Sequence, residues 1–196
     1  MNHDVRPYHH GDLRNELIRV GLELITEGGT DAVGLREASR RIGVSASAAY
    51  RHFDNRAELV DAVHHAVLSN VATQLREALE DQDHTEIAER LAITCRTYFN
   101  FAVENPMQFE ALATAFPLAQ DWATSTERPL RIVIELVSEV EPAPKSAGMD
   151  ALSAWAVVHG AASLVTMGSL RDLPMEKKWE LLDRTTEILL RGLGLR

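Results

Sequence analysis

A three-residue turn, Gly43-Val44-Ser45, joins two short segments of helical period, and it limits the fold more tightly than any other stretch of the chain. Before it, Leu35, Ala38, Ser39 and Ile42 recur at i, i+3, i+4 and i+7, a narrow inward stripe on a helix of barely two turns that Gly34 opens as N-cap. Gly43 ends this helix and Val44 supplies an apolar pin. Ser45 then caps a third helix expected over residues 46 to 52. Ala49 and Phe53, one turn apart, point inward and lock that helix to its neighbours. By spacing alone the pattern fits either a helix-turn-helix or a plain α-hairpin.

The rest of the chain continues in helical period. Leu13, Leu17, Ile18, Leu24 and Ile25 form a first helix that Gly28-Gly29 stop. Asn55-Arg56-Ala57-Glu58 reads as a capping box opening a long fourth helix, from Arg56 to about Glu80. Ile87, Leu91, Cys95, Tyr98 and Ala102 make a fifth, ended by Asn105-Pro106 because the residue before proline disfavours α geometry. Further helices are expected over residues 107 to 115, 121 to 140, 149 to 170 and 175 to 193, punctuated by Pro117, Pro129 and Pro142-Ala143-Pro144. No strand pattern, repeat or low-complexity tract is visible. The expected fold is all-α with about nine helices: a three-helix N-terminal domain over residues 1 to 55 and a helical bundle over residues 56 to 196.

Composition narrows the function. The longest weakly polar run, residues 154 to 165, is broken by His159 and Ser163 and falls short of the roughly 20 apolar residues a membrane span needs. The start of the sequence has no apolar segment of the kind a signal peptide carries, so a cytoplasmic protein is expected. Cys95, the single cysteine, cannot pair internally and reads as a buried thiol in a reducing compartment. His9-His10 and His64-His65 are adjacent pairs, which on a helix diverge rather than converge on one ion, so no metal site is expected. No nucleophile elbow, phosphate-binding loop or zinc-protease motif points to catalysis, and no cofactor is implied.

A net charge of −9 argues against general affinity for nucleic acid, but its distribution does not. Residues 1 to 56 are balanced, with eight basic and eight acidic side chains, so the deficit lies in the remainder. Within residues 35 to 56, Arg36, Arg40, Arg41, Arg51 and Arg56 face only Glu37 and Asp54. In a helix-turn-helix, small residues at Ala46, Ser47 and Ala48 would let the backbone approach the bases. Tyr50 and His52 suit phosphate oxygens, and Arg51 could reach a guanine edge. Arg56 would add charge beside the free N–H groups of a helix start. With Arg36 from the basic patch and Ser45 at the turn, these form the expected DNA-facing set: Arg36, Ser45, Ala46, Ser47, Tyr50, Arg51, His52 and Arg56.

The stretch LREASRRIGVSASAAYRHFDNRAELV, residues 35 to 60, resembles the DNA-binding domain of the TetR/AcrR family of transcriptional regulators, and YHHGDLR before it is familiar from part of that family. The resemblance implies base contacts from Ala46, Ser47 and Arg51 and phosphate contacts from Tyr50, His52 and Arg56. Two positions depart from the pattern. Gly34 stands where a capping Ser or Thr is usual, and Ala49 replaces a larger residue. YFNFAVENPMQFEALATAF (98 to 116) and WAVVHGAASL (155 to 164) resemble the C-terminal region of one branch, with a WxxxHG signature.

This second resemblance implies a domain that binds a small-molecule inducer and forms a homodimer through its last two helices. A regulator of this kind would hold its inducer among Tyr98, Phe101, Phe109, Phe116, Trp122 and Trp155, with His159 orienting a polar ligand atom. Dimerisation is also favoured because one helix-turn-helix contacts too few base pairs, whereas two copies can read a palindrome. The expected function is a ligand-responsive repressor released from double-stranded operator DNA by its inducer, an activator being the narrower option. The alternative is an all-α enzyme or small-molecule carrier with a purely structural N-terminal hairpin.

Overall fold

In a computed structural model, residues 13 to 80, 85 to 114, 129 to 140 and 147 to 195 are described, and they form nine α-helices with no strand. Helix α1 (Leu13–Ala32) is interrupted at Gly28 and at Gly29, whose φ of 69° places it in the left-handed region. Helix α2 (Leu35–Ile42) starts after the extended Gly34 and ends at Gly43, which has a φ of 82°. The N–H groups of Gly43 and Val44 both donate to the carbonyl of Ser39, which closes the turn.

Helix α3 (Ala46–Ala49) is capped as expected, the Ala48 N–H donating to Ser45 Oγ. It is, however, shorter than the residues 46 to 52 anticipated. Arg51 and His52 bond back three residues, to Ala48 and Ala49, so the chain tightens into a turn after the first four residues. The Phe53 N–H returns to the Ala49 carbonyl and its ring is fully buried.

Helix α4 (Arg56–Leu79) opens on the Asn55 cap, whose Oδ1 accepts from the Glu58 N–H at 3.1 Å. The return bond of the box goes one residue earlier than expected, from the Asp54 N–H to Glu58 Oε2. Helices α5 (Ile87–Glu104) and α6 (Pro106–Thr114) meet at Asn105, with proline at the first position of α6, where its missing N–H costs nothing. Helix α7 is described from Pro129 to Ser138, and α8 runs Ala147–Thr166, short of the Leu170 expected. The cause is Gly168, whose N–H caps the Ser163 carbonyl in a bend so close that a Cβ would stand 2.8 Å from Leu164 Cα. Helix α9 (Met175–Gly192) follows Pro174. Among the described residues no helix is long and apolar enough to cross a membrane.

Two cores result. The N-terminal one gathers Leu17, Leu24, Ile25, Leu35, Ala38, Ala49 and Phe53 with Leu59, Val60 and Val63 of α4. The C-terminal one continues along the same helix through Val67, Val71 and Leu75 and fills the space between α5, α7, α8 and α9. Helix α4 therefore serves both cores as one rigid rod. Gly21 on α1 makes this possible, since a Cβ there would stand 2.3 Å from Val63 Cγ2. Helix α6 also reaches both cores: Ala111 is buried in the first and Phe109 and Leu112 in the second.

Candidate DNA-binding face and ligand cavity

The residues expected to face DNA lie on one exposed turn and the helix before it. Ser45, Ser47, Tyr50 and Arg51 are exposed, Ala46 and His52 are half-buried, and Ala49 is fully buried beneath them. Ser45 Oγ lies 3.0 Å from Ser47 Oγ, so the cap hydroxyl is already engaged while Ser47 points outward from the helix start. Tyr50, at 46% exposure, is the one large exposed hydrophobic side chain of the N-terminal helices.

The basic patch is smaller than residue counting suggests. Glu37 accepts from both Arg40 (2.7 Å) and Arg41 (3.0 Å), and those two guanidinium groups hold its carboxyl down at about 2. Arg41 also forms a two-pronged bridge to Glu27 of α1. Arg19 is held between Glu16 and Glu23. Arg56 does not stand free either: its Nε donates to the Val33 carbonyl at 2.8 Å and its Nη2 to the Thr30 carbonyl at 2.7 Å, tying the α1–α2 turn to the start of α4. What remains without a carboxylate or carbonyl partner among the described residues is Arg36, Arg51 and Arg14. Arg14, the last residue of the YHHGDLR stretch, is not in the DNA-facing set expected from the sequence; its guanidinium stacks 4.9 Å above the Phe53 ring. Its one signal in the sequence is its place in that stretch, at the second residue of α1.

In the C-terminal domain, Tyr98, Phe109, Trp155 and His159 come together. The Tyr98 ring meets Trp155 at 4.4 Å and Phe109 edge-on at 5.9 Å, and His159 stacks on Trp155 at 6.2 Å. The Tyr98 hydroxyl lies 2.7 Å from His159 Nδ1. Burial pushes the Tyr98 phenol up and the His159 imidazole down, so both are neutral at physiological pH.

Beside this cluster is a cavity of about 20 Å³, lined by Leu91, Thr94, Cys95 and Tyr98 of α5, Val133 of α7, Ala154, Trp155 and Val158 of α8, and Leu189 of α9. Tyr98 and Trp155 thus line it, and Phe109 and His159 back it. Phe101 is buried in the same core but is not among the lining residues. Phe116 and Trp122 lie outside the described residues. Glu104 and Glu110 are exposed on the outer surface, away from the cavity. Leu91, Cys95 and Tyr98, one stripe of helical period in the sequence, lie on the face of α5 that lines the cavity.

Helix α6 joins this cluster to the N-terminal domain. While Phe109 packs on Tyr98 and His159, the neighbouring Gln108 donates to Thr26 Oγ1 of α1 at 2.9 Å. A Cβ on Gly29 would stand 3.0 Å from Met107 Cε.

Residues 91 to 189 match the tetracyclin repressor-like C-terminal domain, and residues 17 to 63 match the bacterial regulatory proteins of the tetR family. The chain is 25% identical over 174 residues to the HTH-type transcriptional activator FasR of Mycolicibacterium smegmatis, covering 84% of this chain and 75% of that protein. It is 40% identical over 55 residues to the tetracycline repressor protein class A from transposon 1721 of Escherichia coli, a match to 28% of this chain and 26% of that one. A solved structure of a protein of unknown function from Rhodococcus sp. RHA1 superposes with a TM-score of 0.76 at 26% identity, covering 95% of this chain and 98% of the other. With both its helix-turn-helix and its ligand-binding half matched, the chain belongs to the tetR family of DNA-binding, ligand-responsive transcriptional regulators.

Proposed function

We propose that this regulator is a cytoplasmic homodimer that represses from a palindromic operator and is released by a small-molecule inducer. The observation that carries the reading is the placement of two unsatisfied surfaces. Around α3 lie Tyr50, Arg51, Arg36 and Arg14, a phenol and three cations with no carboxylate or carbonyl partner among the described residues, beside a helix start built of alanine and serine. On the last two helices lie Met149, Val157, Leu164, Met175 and Ile188, which with Tyr50 account for every large exposed hydrophobic among the described residues. Exposed apolar groups concentrated on one pair of helices support a symmetric interface between two copies.

In this reading α3 enters the major groove, Arg51 reads a base, and Tyr50, His52, Arg36 and Arg14 hold phosphates. Arg56 acts from within by fixing the α1–α2 turn. Inducer enters the cavity between α5, α7, α8 and α9. At about 20 Å³ the cavity has room for roughly one water, so binding must push its walls apart. The displacement reaches the reading heads through the two elements that serve both cores, α4 and α6. The ligand favours the DNA-free form by as much as it binds that form more tightly.

The test is a mobility-shift titration against DNA flanking its own gene, with sedimentation to give the mass of the shifting species. A dimer that shifts DNA, and transcription in vitro reduced by it, are expected. A shifting monomer, or transcription raised by binding, would overturn the dimeric-repressor reading.

A further inference from the structure

Gly28 and Gly29 break α1 just before Thr30, so the turn over residues 30 to 33 that leads into α2 is not positioned by α1 itself. It is held from α4. The Thr30 carbonyl accepts from the Val33 N–H at 3.2 Å and from Arg56 Nη2 at 2.7 Å, and the Val33 carbonyl accepts from Arg56 Nε at 2.8 Å. About two turns further along α4, His64 Nε2 lies 3.3 Å from Thr30 Oγ1. Val33 is fully buried and Leu35 opens α2, so whatever moves this turn moves the segments that carry Arg36 and Arg51.

The two grips differ in one respect: the guanidinium keeps its charge at every working pH, whereas the imidazole does not. Neutral His64 needs one bond at Nε2, which the Thr30 hydroxyl supplies as donor or acceptor according to the tautomer. The imidazolium must donate from both ring nitrogens, at 6% exposure and on a face of α4 where Val60, Val63 and Val67 are buried. Burial holds its pKa below the ordinary imidazole value; Asp61 on the same helix opposes that shift and His65 adds to it. On α1, Asp31 is exposed and 3.7 Å from Arg56, and Glu27 is bridged to Arg41. Glu104 at the end of α5 and Glu110 on α6 are exposed. Among the described residues no carboxylate hydrogen-bonds to His64, so its protonation weakens the grip on the turn.

We propose that His64 is a positioning residue for operator binding: with Arg56 it fixes the α1–α2 turn on α4, and only its neutral form holds the reading segments in the arrangement that DNA selects. DNA then binds the chain with neutral His64 more tightly, and by reciprocity the free chain takes up a proton more readily than the complex. Affinity is complete where the imidazole is neutral in both forms and falls as pH drops through the free chain's range. The proposal needs DNA binding alone; neither repression nor an inducer enters it.

The test is fluorescence anisotropy of the full chain on a flanking-DNA fragment that it shifts, at pH 7.5 and 5.5 and constant ionic strength. Far-UV circular dichroism gives the folded fraction at both. His52→Gln serves as the background, because His52 on the DNA-facing turn gains charge in acid and would oppose the effect. Acidification should weaken binding roughly fivefold or more, the low end of a typical coupling, and adding His64→Gln should remove that fall. A purely structural role would lower the urea midpoint in acid and leave the affinity of the folded chain unaltered. An equal fall in both proteins, or no fall in the background, overturns the proposal. If His64→Gln does not fold, NMR titration of the His64 ring in the background protein decides: a lower midpoint in the DNA complex than in the free chain is expected, and an identical or higher one overturns it.

Discussion

The Tyr98 hydroxyl lies 2.7 Å from His159 Nδ1, across the contact between α5 and α8, and this bond ties together two polar groups of an aromatic cluster completed by Phe109 and Trp155. Replacing Tyr98 with Phe removes one partner and leaves the half-buried imidazole to water. A net loss of about 1 kcal/mol follows, the usual worth of such a bond. Urea unfolding should show a lower midpoint with an unchanged slope. A change above 3 kcal/mol would mean that the ring has moved and not merely lost its hydroxyl.

Gly21 and Val63 set the distance between the DNA-binding domain and the long fourth helix. Because a Cβ on residue 21 would stand 2.3 Å from Val63 Cγ2, Gly21→Ala must push α1 and α4 apart. Overpacking of this kind costs about 1 to 3 kcal/mol. Val63→Ala in the same chain should recover part of that loss, although it forfeits burial on its own. Thermal melts of the two single variants and the double variant give the coupling, and strict additivity would show that the two positions do not press on each other.

The arginines divide into committed and uncommitted groups, and the salt dependence of DNA binding distinguishes them. On a random-sequence duplex, Arg14→Gln and Arg36→Gln should each lower the slope of log affinity against log salt by about 0.9 per protomer. Arg19→Gln, whose guanidinium is spent on Glu16 and Glu23, should leave it unaltered. At the operator, Tyr50→Phe should weaken all sequences alike, whereas Arg51→Ala should relax preference at one base pair by about 1 to 3 kcal/mol. Equal slopes for Arg14→Gln and Arg19→Gln would remove Arg14 from the interface.

Much of this architecture is legible in the sequence because the signals are local. Gly43 ends α2 in the left-handed region, Ser45 caps α3 and Asn55 caps α4, each set by residues within one turn. The Glu37–Arg41 bridge at i, i+4 was equally readable and takes charge out of the basic patch. What could not be read depends on packing between distant segments. The Arg41–Glu27 bridge spans two helices, and Arg56 faces carbonyls of the α1–α2 turn only once α4 is docked. The cavity is hidden for another reason. Leu91, Cys95 and Tyr98 carry the same helical period whether the space before them is filled or empty. Periodicity also gives no ground for separating Tyr98, which lines the cavity, from Phe101, which does not.

His64 lies buried on α4 with Nε2 3.3 Å from Thr30 Oγ1, at the turn that Arg56 also holds. Burial lowers its pKa below the ordinary 6.5, with nearby Asp61 opposing and His65 adding to the shift. The unfolded chain therefore binds a proton in a range where the folded chain does not. Stability conferred by neutral His64 is complete above about pH 6.5 and is lost as pH falls toward the folded-state value. Urea midpoints at pH 7.5 and 5.5 should fall less in His64→Gln than in the wild type. The half-buried His159, shifted in the same direction, should leave a residual decline in that variant. An identical decline in both proteins would show that His64 is not the titrating group.

Gly34 opens α2 with a φ of −157°, extended backbone that any residue adopts, and nothing lies within 4 Å of where its Cβ would be. No side chain caps α2. Gly34→Ser should therefore fit without strain, supply a hydroxyl to the free N–H groups of the first turn, and stabilise the fold by about 0.5 to 1 kcal/mol, through the cap and through a less flexible unfolded chain. Gly34 is close in sequence to Arg36, one of the uncommitted cations, so the same hydroxyl should also gain a phosphate and tighten DNA binding a few-fold on every sequence. A melt and a binding isotherm on one preparation separate the two effects. Higher melting temperature with unchanged affinity would place Gly34 away from the DNA, whereas tighter binding with no gain in stability would show that the hydroxyl serves phosphate rather than the helix.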